Sequence, residues 1–163
     1  KSGYSGAGKK FDKANIKSVN DYNFFNYNTN QHRHICEIRQ ELEKKHKKEV
    51  LFSFNPHILP NFRGIMSTIY CDLSRGINQS DVIKCFEQLD SQNYFINFKN
   101  DEQRADFFLV QKTNKCVLKI FKHYDDSKII IICLIDNLLK GAAGQAVQCF
   151  NLSKGFDESL GLI

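Results

Sequence analysis

The sequence contains no long apolar run, no closely spaced cysteine pair and only two prolines. The longest apolar run, Ile129 to Ile135, is far shorter than the roughly 20 residues that a membrane-spanning helix needs. Six cysteines without a CxxC pair are typical of reduced thiols in a cytosolic protein and not of a disulfide framework. No basic-then-apolar segment opens the chain, so we expect a cytoplasmic protein with no membrane partner.

The composition is that of one ordinary globular domain. The chain has 163 residues, is 42% hydrophobic and 25% charged, and its 14 Phe and 6 Tyr exclude disorder as a description of the whole chain. The net charge of +5 is mildly basic. Its main basic cluster, Lys44 to Lys48, closes a predicted helix, where cations complement the helix dipole. Because no nucleic-acid motif accompanies the cluster, we expect no nucleic-acid partner.

A glycine-rich segment, Ser2 to Gly8, follows directly on Lys1. Its three glycines tolerate positive φ and allow backbone N–H groups to approach a ligand. A glycine-rich loop rarely opens a natural polypeptide, so we expect this sequence to be part of a longer protein.

Periodicity and turn signals predict three helices among several strands. The helices are expected at Glu37–Lys48, after an N-cap at Ser80, and at Leu138–Leu152 with Gly155 as terminator. Strands are expected at Val50–Phe54, Arg63–Cys71, Tyr94–Phe98, Phe107–Gln111, Lys115–Phe121 and Lys128–Ile135, with Tyr22–Tyr27 as a strand or a groove wall. Runs of strands without intervening helices favour antiparallel pairing, so the predicted class is α+β with a mixed, largely antiparallel sheet.

Two histidines and an arginine, His32-Arg33-His34, precede the first predicted helix. A histidine there suits a general acid or base near neutral pH, while rings that cap or pack the helix entrance are the alternative. A metal site that adds Cys36 and His57 is a weaker alternative, because the H-x-H-x-C spacing matches no common zinc pattern. We expect no metal.

Two further segments carry polar groups suited to a ligand. Arg63 follows a loop with two prolines and is suited to a phosphate or carboxylate, or else faces solvent. Asp136 and Asn137 stand between the last strand and a helix whose Gly141 and Gly144 are costly in a helix interior. These glycines indicate close approach of a helix, a strand or a cofactor.

Together these segments resemble the C-terminal half of the N-acetyl-γ-glutamyl-phosphate reductase family, which is related to aspartate-semialdehyde dehydrogenase. The matching stretches run in the family's order over essentially the whole chain. They are Lys1–Gly8, His32–His34 with Glu37-Ile38, Pro56-His57 with Pro60, Arg63–Ile65, Asp136–Leu138, Lys140–Gln148 and Asn151-Leu152, with Asn114 and Cys116 as a weaker match.

The resemblance implies NADP-dependent reduction of N-acetyl-glutamyl 5-phosphate to the 5-semialdehyde in arginine biosynthesis. It implies one catalytic and dimerisation domain, 1–163, with helices on one face of the sheet as in the C-terminal domain of glyceraldehyde-3-phosphate dehydrogenase. The nucleophilic cysteine and the dinucleotide-binding loop of the family lie in an N-terminal domain that this chain lacks, so the chain alone is expected to be inactive. A homodimer or homotetramer is expected.

The resemblance also assigns roles to residues. His34 matches the general acid/base, with His32 as the alternative, and Arg33 and Arg63 are candidates for the small-molecule substrate. The cofactor contacts are expected from Ser2, Gly3, Ser5, Gly6, Ala7, Gly8, Asn137, Lys140, Gly141 and Gln145. Cys36 stands where the family usually has proline, which leaves the path of that loop open.

Two other functions fit the same sequence. One is a non-catalytic dimerisation module that retains the motifs as relics, although several intact polar positions argue against decay. The other is a reductase for a carrier-linked aminoadipyl phosphate in lysine biosynthesis.

Overall fold

In the part of the chain that the structure describes, three long antiparallel strands form the centre of a seven-stranded sheet. The computed structural model describes residues 1–6, 23–101 and 103–162. Strand β7 (Lys128–Ile135) lies between β4 (Ile65–Asp72) and β6 (Cys116–Lys122). Four consecutive isoleucines in β7 suit a strand that is covered on both faces. The predicted bounds and central place of this strand are confirmed.

Shorter strands extend the sheet on both sides, in the order β2-β3-β1-β4-β7-β6-β5. They are β1 (Ser2–Gly3), β2 (Phe25–Asn26), β3 (His57–Leu59) and β5 (Ile96–Phe98). The pairs β1–β3 and β5–β6 are parallel, and the other four pairs are antiparallel. The predicted α+β class with a mixed, largely antiparallel sheet is confirmed.

The described residues contain three α-helices: α1 (His34–His46), α2 (Gln79–Gln92) and α3 (Gly144–Lys154). A π-helical turn, Leu139–Ala143, leads directly into α3. The predicted terminator of α3 is confirmed, since Gly155 adopts φ 71°. Within the described parts of the chain, no helix combines the length and apolar character that a bilayer crossing requires.

Three of the local predictions are wrong. Residues Val50–Phe54 form no strand, because the Phe54 N–H donates to the side chain of Asn30 and not to a neighbouring strand. Phe107–Leu109 is a 3-10 helix whose start is capped by the side chain of Asp106. The N-cap of α2 is Asn78 and not Ser80, because Asn78 and Asp81 bond each other's backbone N–H in a capping box.

Two hydrophobic clusters lie on opposite faces of the central strands. On one face, α2 packs Val82, Ile83 and Phe86 over a cluster of Phe98, Ile120 and Ile129. On the other face, Val110, Val117 and Leu134 form a cluster against which Ala105 and Phe107, from the segment around the 3-10 helix, pack. Each fully buried side chain of this size stabilises the fold by about 1.5–3 kcal/mol, so the pairing of β4, β6 and β7 is firmly held.

Candidate functional site

Asp136, the residue after β7, connects three separate parts of the chain. Its carboxylate accepts hydrogen bonds from Arg63 Nη1 at 2.8 Å, the Lys112 N–H at 2.7 Å, and the N–H groups of Leu138 at 2.8 Å and Leu139 at 3.0 Å. The side chain is fully buried, with 0% exposure. Asp136 therefore caps the turn that follows β7 and fixes it to the start of β4.

The protonation of Asp136 follows from these contacts. Burial alone would raise the pKa of this carboxyl, but the hydrogen bonds from Lys112, Arg63, Leu138 and Leu139 outweigh it and lower the pKa below its ordinary value. Asp136 is therefore ionised at neutral pH, and its charge neutralises the Arg63 guanidinium.

Asn137 joins the opening segment of the chain to β4. The Gly64 N–H donates to Asn137 Oδ1 at 2.8 Å, and Asn137 Nδ2 donates to Ser5 Oγ at 2.7 Å. Ser5 Oγ in turn donates to the Phe62 carbonyl at 2.5 Å, while the Gly3 N–H donates to the Gly64 carbonyl at 2.7 Å. Two predicted cofactor contacts from opposite ends of the chain, Ser5 and Asn137, thus lie in direct contact.

Glycines form the surface beside Asn137. A Cβ on Gly6 would lie 3.4 Å from Ser2 Oγ and 3.6 Å from Asn137 Nδ2, so the glycine leaves a polar hollow open. A Cβ on Gly3 would lie only 2.6 Å from the Phe62 carbonyl oxygen, so no side chain fits there. Two residues of the predicted cofactor loop lie outside the described residues: Ala7 and Gly8.

The two candidate histidines lie in different surroundings. His32 is half-buried, and its ring contacts Tyr27, Phe54 and His34 at centroid distances of 5.4, 5.5 and 4.6 Å. Its Nδ1 accepts the backbone N–H of His34 at 3.2 Å. Burial, followed by the charges of His34 and Arg33, lowers the pKa of His32, so this ring is neutral at pH 7. His34 begins α1 and is exposed, and neither of its ring nitrogens bonds to a described residue.

The two candidate arginines are also placed differently. Arg33 is exposed at the N-cap of α1, with its carbonyl accepting the Cys36 S–H at 3.0 Å. Arg63 has a side chain that is 28% exposed and pairs with Asp136. The Arg63–Asp136 ion pair spans 73 residues, and sequence reasoning missed it because no local pattern connects the two positions.

Lys140 lies in a polar cluster beneath α3. Its ammonium donates to Gln148 Oε1 at 2.6 Å and lies 5.5 Å from the centroid of the Phe95 ring. Gln148 Nε2 donates onward to Glu158 at 2.9 Å. Burial lowers the pKa of Lys140, although the charges of Cys116 and Glu158 oppose that shift. The ammonium is therefore held by α3 and the C-terminal turn.

The π-helical turn and α3 together form a Gly/Ala helix, Leu139–Lys154, whose glycines approach other elements closely, as predicted. A Cβ on Gly144 would lie 2.3 Å from Asn114 Oδ1, and a Cβ on Gly141 would lie 3.4 Å from the Asp136 carbonyl oxygen. Gln145 is half-buried and donates to Cys149 Sγ at 3.3 Å. The close neighbour of Gly144 is thus the loop before β6, and not the helix, strand or cofactor that the sequence predicted.

The alternative metal site finds no structural counterpart. Among residues 1–6, 23–101 and 103–162, no three His, Cys, Asp or Glu side chains lie close enough to hold a metal ion. The four candidate ligands, His32, His34, Cys36 and His57, therefore do not form a common site.

Known proteins are similar to this chain in sequence and in fold. Residues 1–137 match the family described as semialdehyde dehydrogenase, dimerisation domain. The N-acetyl-gamma-glutamyl-phosphate reductase of Caldicellulosiruptor bescii is 40% identical over 163 residues, which is 100% of this chain and 47% of that protein. The enzyme of the same name from Vesicomyosocius okutanii is 41% identical over 162 residues, 99% of this chain and 46% of that protein.

A solved structure supports the fold. Aspartate semialdehyde dehydrogenase II from Vibrio cholerae matches with a TM-score of 0.70 at 17% identity, over 95% of this chain and 53% of that one. The chain spans about half the length of the curated relatives it matches. Because the family match extends from residue 1 to residue 137, the chain belongs to the semialdehyde dehydrogenase dimerisation-domain family.

Proposed function

We propose that this chain is the C-terminal catalytic and dimerisation half of an NADPH-dependent reductase. The full protein would convert N-acetyl-glutamyl 5-phosphate to N-acetyl-glutamate 5-semialdehyde in arginine biosynthesis. The observation that carries the proposal is the Ser5–Asn137–Gly64 contact, which brings the opening turn and the start of the Gly/Ala helix to one place. The reductases from two organisms, each about 40% identical to the chain, support the same substrate.

The residues around Asn137 fit a nicotinamide cofactor. The hollow over Gly6 is polar and would be filled by any larger side chain. Ser2, Gly3, Ser5 and Gly6 would contact the cofactor there, and Asn137 would hold their turn in place through its carbonyl and one N–H. When bound, NADPH supplies the hydride that reduces the acyl group. Lys140 would influence the cofactor through its charge and not by direct contact, because its ammonium donates to Gln148.

The two histidines would have different roles. The exposed His34 ring is free to take a proton from the attacking thiol and to give one to the forming tetrahedral centre. His32 would act as a positioning residue, because its Nδ1 accepts the first N–H of α1 and its ring packs against that of His34. The nucleophilic cysteine and the dinucleotide-binding domain would come from the N-terminal half, 1–163 being the other domain.

The two candidate arginines, Arg33 and Arg63, differ in how many of their N–H groups are available to a substrate anion. Arg33 is exposed beside His34 and can bind the acyl phosphate or the substrate carboxylate with two parallel hydrogen bonds. Arg63 is already neutralised by Asp136, so it would orient the start of β4 and offer only its remaining N–H groups.

The assembly proposal rests on the sheet. Gly141 lies over Ile65 and Ile135, which share a face with Ile129 beneath α2, so both helices would lie on one face as in the C-terminal domain of glyceraldehyde-3-phosphate dehydrogenase. The opposite face presents Tyr70, which is 70% exposed, and would form the contact of a homodimer or homotetramer. Light scattering of the full-length protein tests this.

The described cysteines are all free, which fits a cytoplasmic location.

The decisive assay uses the full-length protein with N-acetyl-glutamyl 5-phosphate and NADPH. His34→Ala should lower kcat by about 10²–10⁴-fold, the usual contribution of a general acid/base, and leave the Kd for NADPH unchanged. His46→Ala, at the exposed end of the same helix, is the matched control and should keep the native kcat. His32→Ala should lower kcat less than His34→Ala does.

Two results would contradict the proposal. Turnover only with a carrier-linked aminoadipyl phosphate would move the enzyme to lysine biosynthesis. An equal loss of NADPH binding and turnover in His34→Ala would mean that the ring only shapes the pocket.

A further inference from the structure

Two thiols face each other across the centre of the sheet. Cys116 is the first residue of β6, and Cys133 lies near the end of the neighbouring strand β7. Cys116 lies opposite Ile135 and Cys133 opposite Leu118, so both side chains emerge on the same face, on two pairs that are separated by the Val117–Leu134 pair. Their sulfur atoms are 3.6 Å apart, and both residues are half-buried.

The two thiols differ in protonation. The hydrogen bond between the two sulfur atoms lowers the pKa of Cys116, and the charge of the Lys140 ammonium lowers it further against the effect of burial. The same hydrogen bond and burial raise the pKa of Cys133. The arrangement is a thiolate-prone sulfur beside a protonated one. A thiolate is the nucleophile in thiol–disulfide exchange.

The other four cysteines lack such a partner. Cys36, Cys85 and Cys149 are exposed, and Cys71 is half-buried with a pKa raised by burial. Within the described part of the chain, Cys116 and Cys133 form the one thiol pair in hydrogen-bond contact.

We propose that Cys116 and Cys133 form a redox-active dithiol that a small-molecule disulfide converts into an intramolecular disulfide. In the first step the Cys116 thiolate attacks one sulfur of the reagent, forming a mixed disulfide and releasing one reagent thiolate. In the second step Cys133 loses its proton to solvent and attacks the Cys116 sulfur, forming the Cys116–Cys133 bond and releasing the second reagent thiolate. Two protein thiols are oxidised, and the reagent disulfide is reduced to two thiols.

Disulfide formation requires the two sulfur atoms to move towards each other, at a place close to the candidate site. The sulfur atoms must approach from 3.6 Å to the bond length of about 2.05 Å. Cys133 lies three residues before Asp136, and Cys116 lies two residues after Asn114, which contacts Gly144. A shift of β6 against β7 would therefore displace Asn114, which lies against Gly144, and Asp136, whose carbonyl oxygen lies against Gly141.

Peptide mapping of the full-length protein tests the proposal without any measurement of reductase activity. The native protein is treated with oxidised glutathione, the remaining thiols are alkylated, and the protein is digested with trypsin without reduction. We expect the peptides Cys116–Lys119 and Ile129–Lys140 to be joined by a disulfide, and reduction to separate them. Cys133→Ser should stop the reaction at a mixed disulfide on Cys116, and Cys116→Ser should leave Cys133 unmodified.

Cys85→Ser is the matched control. It should not change the yield of the joined peptide, because Cys85 is exposed and forms no hydrogen bond with Cys116 or Cys133. The proposal is overturned if the native protein carries glutathione on Cys36, Cys85 or Cys149 but no joined peptide. A mixed disulfide that persists on Cys116 of the native protein would equally refute the role of Cys133. Neither result depends on whether the full-length protein is a reductase.

Discussion

Gly144→Ala tests whether the close contact between the Gly/Ala helix and the loop before β6 determines stability. The new methyl carbon would lie 2.3 Å from Asn114 Oδ1 and 3.0 Å from the Leu139 carbonyl carbon. Asn114 is only 1% exposed, and its Nδ2 donates to Gln148 at 3.1 Å, so it cannot swing into solvent. An acceptable carbon–oxygen contact of about 3.3 Å therefore requires a shift of about 1 Å in a packed interior.

The expected loss combines two opposing effects. Overpacking typically costs about 1–3 kcal/mol, and a contact as short as 2.3 Å belongs to the upper part of that range, about 2–3 kcal/mol. The helix preference of alanine over glycine offsets about 1 kcal/mol of it. We expect a net loss of about 1–2 kcal/mol, which lowers Tm by roughly 2–8 °C for a domain of this size. Thermal and urea denaturation followed by far-UV circular dichroism measure the change.

Gly141→Ala is the matched control on the preceding turn. Its methyl carbon would meet the Asp136 carbonyl oxygen at 3.4 Å, an ordinary contact, so stability should stay unchanged or rise by up to about 1 kcal/mol. Asn114→Ala should partly rescue Gly144→Ala, because it removes the clashing oxygen, which has no hydrogen-bond partner among the described residues. Equal stability of Gly144→Ala and Gly141→Ala would refute the reasoning.

Two further predictions concern Asp136. Arg63→Ala leaves this buried carboxylate without its cation. Because Arg63 is partly exposed, we expect the free energy of unfolding to fall by about 2 kcal/mol, less than the 3–5 kcal/mol lost when a fully buried pair is broken. An unchanged urea midpoint would contradict this. The folded-state pKa of Asp136 is depressed, so its contribution to stability is fully present above the unfolded value of about 4 and declines as pH falls through the folded value. Urea titrations between neutral and acidic pH should show this decline in the native protein and a weaker one in Asp136→Asn.

Long, locally consistent elements could be predicted from the sequence, whereas short elements that depend on distant partners could not. Strand β7 was predicted residue for residue because its isoleucine run allows little else. Val50–Phe54 has a similar apolar composition, but Leu51 is 85% exposed, and the segment pairs with the Asn30 turn and not with a strand. Strand β1, only two residues long, exists because β3 and β4 lie on either side of it.

The candidate site shows the same division. The position of Asp136 between the last strand and a helix could be predicted from the sequence, and so could the close approach at Gly144, from the cost of glycine in a helix. The Arg63–Asp136 pair and the Ser5–Asn137 contact join residues 73 and 132 positions apart, so no local pattern reveals them. The difference between His32 and His34 arises from Tyr27 and Phe54, whose rings reach only one of the two histidines.

Reconstitution from two halves tests the central claim most directly. The chain 1–163 is purified alone and with the N-terminal segment of its full-length protein, and NADPH oxidation with N-acetyl-glutamyl 5-phosphate is followed in both samples. We expect no turnover by the chain alone, and turnover in the mixture that His34→Ala lowers by about 10²–10⁴-fold. Measurable turnover by the chain alone, or an unchanged rate in the His34→Ala mixture, would contradict it.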